Sequence, residues 1–428
     1  MKKHFITLLA ALTMPFAGNA LAQDETTTYA ITNAVIHTMG PEGVIKQGTV
    51  VIEGDRIVAV GENVDVPEGA VVIDASGKVV TPGFMDPATN IGIVEVGAVD
   101  GTVDTATIND RYTAAHSVAD AVNPRSTLIP VNRIEGITRV VTRPYSGSSI
   151  FAGRSAVISL GSVDDYLIDR AAAMHLTLGV SGAELTGGSR GAAIVKLREA
   201  LQDARDFGEN KSAFESAERY AYSLSRPDLE ALQPVLAGEL PLVVDVERAS
   251  DIEAVLRLAE DFGLDVIIQG GAEAWLVAEQ LAAANVPVIL NPLVNLPFSF
   301  EQIASTLKNA AALHSAGVTI AFSQGESHNA RNVKQAAGIA VANGLPWTAA
   351  LQALTVNPAK IFGVENYGRL APGFDADVVI WDGDPLEVTT FADRVFIQGR
   401  DIPMVSRQTL LRDRYLEDEA RPQAYDEP

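Results

Sequence analysis

Cysteine is absent from the 428 residues. Its absence excludes disulfides, thiolate metal sites and cysteine nucleophiles. A chain of this length does not need disulfide staples, because its core can be extensive. Positive charge is scarce: 32 Lys and Arg stand against 54 Asp and Glu, for a net charge of −22. No basic patch stands out, so no attraction to nucleic acid or anionic lipid is expected. Beyond the N-terminus no segment is continuously apolar for long enough to cross a bilayer, so no membrane span is expected.

The one apolar run opens the chain: MKKHFITLLAALTMPFAGNALAQ. Two lysines precede its apolar centre, and Ala20-Leu21-Ala22 places small residues before Gln23. This is the pattern of a secretory signal peptide over residues 1–22, cut after Ala22. The mature protein is expected to be periplasmic or secreted.

Residues 28–80 alternate in short pieces such as "YAITNAVIHTM" and "GTVVIEGDRIVAVG", separated by Gly- and Asp-bearing turns. They read as short strands and hairpins. Similar text returns over residues 365–410, and the two stretches together predict one composite β-sandwich domain. Residues 411–428 read as a polar tail.

Between them, residues 81–363 alternate strands and helices. "LPLVVDVE", "LDVIIQG", "VPVILN" and "VTIAFSQG" read as buried strands. "SDIEAVLRLAEDFG" reads as a helix with Ser250 as N-cap and Gly263 as C-cap. "AEAWLVAEQLAAAN" and "SFEQIASTLKNAAALHSAG" read as two further helices. Strand–helix repeats with runs apolar on both faces imply a parallel sheet. The fold class is therefore α/β, with the length of a (β/α)8 TIM-like barrel. A doubly wound sheet would show a glycine-rich nucleotide loop after its first strand, and "GFMDPATN" is not one.

In such folds function sits at the C-terminal ends of the strands. Asp86, Asp245, Glu247, Gln269, Asn291, Gln324 and Glu326 collect there. Of the histidines, His37 falls in an early strand and reads as structural. His116, His175 and His314 fall in helical or irregular text. His328 stands in a strand-end loop. "GGSRG" (187–191) reads as a flexible loop or an anion cradle, and "SGSSIFAGRSA" (146–156) as a turn or part of the mouth.

"DASGKVVTPGFMD", "ALTVNPAKIFGV" and "GRLAPGFDADVVIWDGDPL", in this order of domains, resemble the amidohydrolase superfamily. The likeness is to exported members related to imidazolonepropionase and prolidase-type enzymes. It spans the whole mature chain. It implies a metal, usually zinc, whose bound water attacks an amide or ester carbonyl. It also implies two histidines after the first barrel strand, one each after the fifth and sixth, and an aspartate after the eighth.

Carried onto this chain, those positions fall on other residues. The first pair falls on Ala88 and Asn90. The fifth-strand motif reads Asp245-Val246-Glu247-Arg248, and the sixth-strand histidine falls on Gln269 or Gly270. Ser323 to Gly325 stand where the aspartate is expected. No bridging lysine is assignable. Two readings follow. In the first, the protein is non-catalytic, needs no cofactor, and binds a small-molecule or peptide-like ligand at the barrel mouth. In the second, Asp245, Glu247, Glu326 and His328 form a rebuilt hydrolytic site for C–N bonds. That site would work without metal or with a divalent ion such as manganese, calcium or magnesium at a non-standard position. A homo-oligomer, or a structural role beside an active paralogous amidohydrolase, is a further possibility.

Overall fold

The computed structural model describes residues 27–108, 111–216 and 221–416. The signal peptide reading lies outside the described residues, as does the tail beyond residue 416. Two sheets organise the chain, and their strands are numbered here in sequence order. The first is built from β1 (Thr28–His37), β2 (Val44–Glu53), β3 (Arg56–Gly61), β4 (Val71–Asp74) and β5 (Val79–Pro82).

The second sheet is the barrel. It contains β6 (Phe84–Thr89), β7 (Ile137–Thr142), β8 (Phe151–Ser159), β9 (Leu167–Thr177), β10 (Leu242–Val246), β11 (Val266–Gly270), β12 (Val288–Leu290) and β13 (Ile320–Phe322). The chain then returns to the first sheet with β14 (Val378–Trp381), β15 (Ala392–Ile397) and β16 (Arg400–Asp401).

The composite domain is one hydrogen-bonded sheet in the order β16-β15-β14-β5-β1-β2-β3, with β4 also paired to β1. Strands from both ends of the chain meet at β5 and β14, which pair antiparallel from Val378↔Pro82 to Trp381↔Val79. Ile31, Ile36, Ile52, Val80, Val378 and Phe396 form its core. Trp381 fastens it to the barrel: the indole stacks on Phe84 at 5.1 Å and donates to the Thr81 hydroxyl at 2.9 Å.

The barrel strands run in sequence order from β6 to β13, and the fold class expected from the sequence is the one observed. One detail departs from a regular β/α repeat. β8 runs antiparallel to both β7 and β9. The links on either side of β8 are short and carry no helix, and a parallel crossover needs about a dozen residues or more. The chain therefore meanders here before resuming the parallel pattern from β9 to β13.

The interior is dry at one end. Met85, Val141, Val157, Ala173, Val243, Ile267, Ile289 and Ala321 face one another and are closed below by Ala359, Phe362 and Tyr367. Beneath them lies a buried ionic cluster. Arg139 of β7, 2 % exposed, donates to Asp377 at 2.9 Å and to Asp375 at 2.5 Å. The Tyr367 ring lies 4.4 Å from its guanidinium carbon. Both aspartates come from "GFDADVV", so this phrase ties the composite domain to the barrel base.

Three helix readings change. The helix Ala249–Phe262 is capped by Gly263 in the left-handed conformation, but its N-cap is Arg248, not Ser250. Glu273 accepts from the Ala249 amide at 3.2 Å, which supplies the cap from a neighbouring loop. "AEAWLVAEQLAAAN" begins as a 3-10 turn, with α-helix only over Ala278–Ala283. "SFEQIASTLKNAAALHSAG" is helical only over Asn309–Ser315, because its first half is drawn across the barrel mouth by Glu301. A helix over Arg407–Leu416 runs into the segment read as polar tail.

Candidate functional site

Side chains on a strand alternate between its faces. Two residues beyond the dry layer, the same inward positions therefore bring polar groups to the mouth: Arg143, Ser155, His175, Asp245, Gln269, Asn291 and Ser323. Arg143 is at the centre of this set. Its amide donates to Thr89 O at 2.9 Å, and its carbonyl accepts from Asn90 Nδ2 at 2.7 Å. The backbone is thus fixed on both sides of the first barrel strand's end.

The Arg143 guanidinium is buried. Turned so that oxygen faces the cation, the Gln269 amide accepts from Nη2 at 2.8 Å and Nε at 3.2 Å. The opposite orientation would set amide nitrogen against guanidinium and is rejected on those grounds. Tyr145 lies with its ring centre 4.4 Å from the guanidinium carbon. Asp86, Asp245 and His175 all feel the charge.

The groups around this cation are under electrostatic tension. Burial pushes the Asp86 carboxyl up to about 7, against the pull of the Ser323 hydroxyl, the Ala88 amide and Arg143. Asp86 Oδ1 accepts from Ala88 N at 3.0 Å, while Oδ2 has no partner. His175 lies on β9 and is held well below its ordinary pKa, first by burial and then by Arg143, so it is neutral. Its Nε2 also has no partner. Burial raises Asp245 as well; Arg143 opposes the shift and Glu301 reinforces it. Burial likewise raises Glu247, reinforced by Asp245 and Glu301 and opposed by the Ala272 amide and Gln302.

Asp245 and Glu247 nevertheless keep part of their surface open. Glu247 accepts from Ala272 N at 2.8 Å. Its carboxylate lies where a Cβ on Gly270 would be, at 2.9 Å, and Gly270 has φ +89°. Gln269 thus faces the Arg143 guanidinium, and Gly270 makes room for Glu247.

The loop after β12, residues 291–308, covers one side of the mouth. Glu301 reaches inward and accepts from Val180 N and from Arg190 Nη2, both at 2.8 Å. Arg190 also bridges to Asp251 at 3.1 Å. The "GGSRG" turn therefore spends its arginine on two carboxylates. Gly179, at φ +68°, leaves the space that Glu301 fills.

The sequence candidates divide by burial. Asp245 and Glu247 are half-buried and stand two residues apart at the end of β10. Glu326 and His328 are exposed. His328 Nε2 lies 3.2 Å from Gln408 in the C-terminal helix, and its carbonyl accepts from Arg331 at 3.1 Å. Ala88 is buried on β6, and Ser323 donates to its carbonyl at 3.0 Å. His37 packs on Trp347 with ring centres 4.5 Å apart, and His314 ends a helix, both in structural roles. His116 lies beside Ala152 O at 3.1 Å.

Two mouth residues, Arg143 and His175, went unrecognised in the sequence. His175 stands in strand β9, not in helical or irregular text; the alanine run of "RAAAMHLT" conceals a strand period. Counting two residues on from Val141 and Ala173 would have found both.

The chain matches the model of the amidohydrolase family over residues 250–402. It is 25 % identical over 387 residues to "Amidohydrolase tasK" of Hapsidospora irregularis, covering 82 % of this chain but 39 % of that protein. It thus spans about two-fifths of that relative's length. It is 24 % identical over 373 residues to an imidazolonepropionase of Cereibacter sphaeroides, covering 81 % and 91 % of the two chains. An amidohydrolase structure from Thermotoga maritima MSB8 superposes with a TM-score of 0.79 at 26 % identity, covering 88 % of this chain and 99 % of that one.

Proposed function

This chain belongs to the amidohydrolase superfamily, and we propose that within it the protein is a metal-free member that binds a small, peptide-like ligand at the barrel mouth. The observation that carries this reading is Arg143. A guanidinium stands among the positions where the family resemblance implies metal ligands. It takes the Gln269 oxygen for itself and lies in the field of Asp86 and Asp245.

The donor set does not fit the group. The Ala88 side chain offers no ligand atom, and Asn90, whose amide nitrogen donates to the Arg143 carbonyl, offers only a neutral amide oxygen, a poor ligand for zinc. Among the described residues no cluster of three or more His, Asp or Glu is arranged to hold an ion. A dication about 5 Å from the guanidinium would be repelled by roughly 7 kcal/mol at an effective dielectric constant of about 20. The basic and apolar leader, outside the described residues, supports export of the protein to the periplasm or beyond.

One observation favours a second reading, a metal-free hydrolase. Asp245 and Glu247 are adjacent carboxylates, both raised by burial and by Glu301. Such a pair, in which burial makes each carboxyl hold its proton more readily, suits acid–base work.

The test is elemental analysis of purified protein together with hydrolysis of dipeptides and amino-acid amides. Wild type is expected to carry substoichiometric zinc and to show no turnover. Stoichiometric zinc would overturn the metal-free reading. Turnover abolished by Glu247→Gln would favour the second reading.

A further inference from the structure

Phe298 and Phe300, in the loop after β12, are 90 % and 88 % exposed, and Leu296 and Ile303 on the same loop are exposed as well. The loop that carries them is fastened. Asn291 accepts from the Leu293 amide at 3.0 Å, and Gln302 accepts from the Phe298 amide at 3.1 Å. Glu301 is drawn inward by Val180 N at 2.8 Å, and the Ala304 carbonyl accepts from the Trp275 indole at 2.8 Å. The two rings are therefore presented in place, which lowers the ordering cost of covering them.

The loop also borders an open groove of about 600 Å³, walled by Leu293, Ile339, Leu386 and Val388, with Glu387 as its charged residue among the described residues. Leu293 belongs to both loop and groove. Five residues of chain separate it from Phe298, a reach of at most about 18 Å. A standard interface of about 800 Å² per partner is roughly 30 Å across, so it spans both features. At its exposure Phe298 does not fill its own groove. The molecule thus carries an apolar protrusion and an apolar recess within one interface's reach.

Area and charge say what covers them. The two rings offer roughly 300 Å². The aliphatic side chains of Leu293, Leu296, Ile303, Ile339 and Val388 add roughly another 300 Å². That is at or above the largest apolar patch of an ordinary monomer and most of what each partner of a stable dimer gives up. Residues 291–300 carry no charge, and Glu301 is turned away to Arg190. In a chain of net charge −22, such a neutral segment is where two copies can meet without like charges facing each other. A bilayer fits less well. Segments that lie on headgroups carry Lys or Arg beside their apolar side chains, and residues 291–307 carry neither.

We propose that this face joins two copies of the chain about a two-fold axis, with Phe298 and Phe300 of each copy seated in the groove of the other. A protrusion and a recess on one molecule close on themselves in this way without leaving an open end. The assignment is independent of the metal-free reading of the mouth.

Sedimentation of the full chain tests it. Wild type is expected to be a dimer at about micromolar concentration and above. Phe298→Ser with Phe300→Ser removes the protrusion, and Val388→Arg blocks the recess. Each should weaken association at least about thirtyfold, the effect of losing an interface hot spot. Both changes lie at exposed positions, so the urea midpoints of the monomers should stay close to one another. Mixing the two variants should restore part of the association, because one intact ring pair then meets one intact groove. A monomeric wild type would overturn the proposal, as would a dimer indifferent to either variant. Failure of the mixture to associate would overturn the seating of rings in grooves. A monomer that binds phosphatidylcholine vesicles through the two phenylalanines would overturn it in favour of a membrane.

Discussion

Strand β7 and the residue that follows it supply two buried arginines, one at each end of the barrel, and they live in opposite circumstances. Arg139, at the base, meets two aspartates at 2.9 and 2.5 Å and an aromatic face, so its charge is answered in full. Arg143, at the mouth, has an amide oxygen and a tyrosine ring, while the nearby Asp86 and His175 each hold an unpartnered atom. The base is a finished joint between domains. The mouth is a charged arrangement with bonding capacity left over. Unsatisfied polar groups cost stability, and they collect where something else is to be bound.

The comparison breaks most visibly at the base. Arg139→Met leaves Asp377 buried and unanswered and is expected to cost about 3–5 kcal/mol. Arg143→Met should cost only about 1–2 kcal/mol, because Asp86 takes up a proton and Asp245 is partly solvated. Urea denaturation of both variants checks this, and equal losses would erase the distinction between the two ends.

A second effect concerns pH. The Asp86 carboxyl is raised to about 7 in the folded state, above its unfolded value, so the folded protein binds the extra proton. Stability therefore falls as pH rises from about 4 to about 7 and levels off above, by up to about 4 kcal/mol from this group. Asp86→Asn should remove that slope; unfolding free energies at pH 5, 6, 7 and 8 would reveal it. A slope unchanged in the variant would place the titration elsewhere. The smallest effect belongs to the exposed rim: His328→Ala should change stability by no more than about 0.5 kcal/mol and leave ligand binding intact.

The base was the legible end. "GFDADVV" and "ALTVNPAKIFG" are continuous phrases, and continuous phrases build joints that sequence reading can recognise. The strands from β10 to β13 were equally plain, because parallel strands buried on both faces are unbroken apolar runs. The mouth was less legible because its members are scattered single residues. Asp245 and Gln269 stood out as polar ends of apolar runs. Arg143 did not, since "VVTRPYS" reads as a strand running into a turn. The segment 299–316 misled for another reason: its helical period is real, but Glu301 is more strongly held by Val180 N and Arg190 than by a helix of its own. Tertiary contacts override local propensity in such segments.

The pairing of β5 with β14 has a consequence in time. Pro82 and Val378 face one another across about 300 residues of chain. At about 5–20 residues per second, synthesis leaves roughly 15–60 seconds between the two strands. Throughout that interval β5 has an unpaired edge, the condition under which strands join the wrong partner. Local hairpins such as β1–β2 close early, and the β5–β14 pairing closes late, because long-range contacts are slow to form. A strand made late therefore seals one made early.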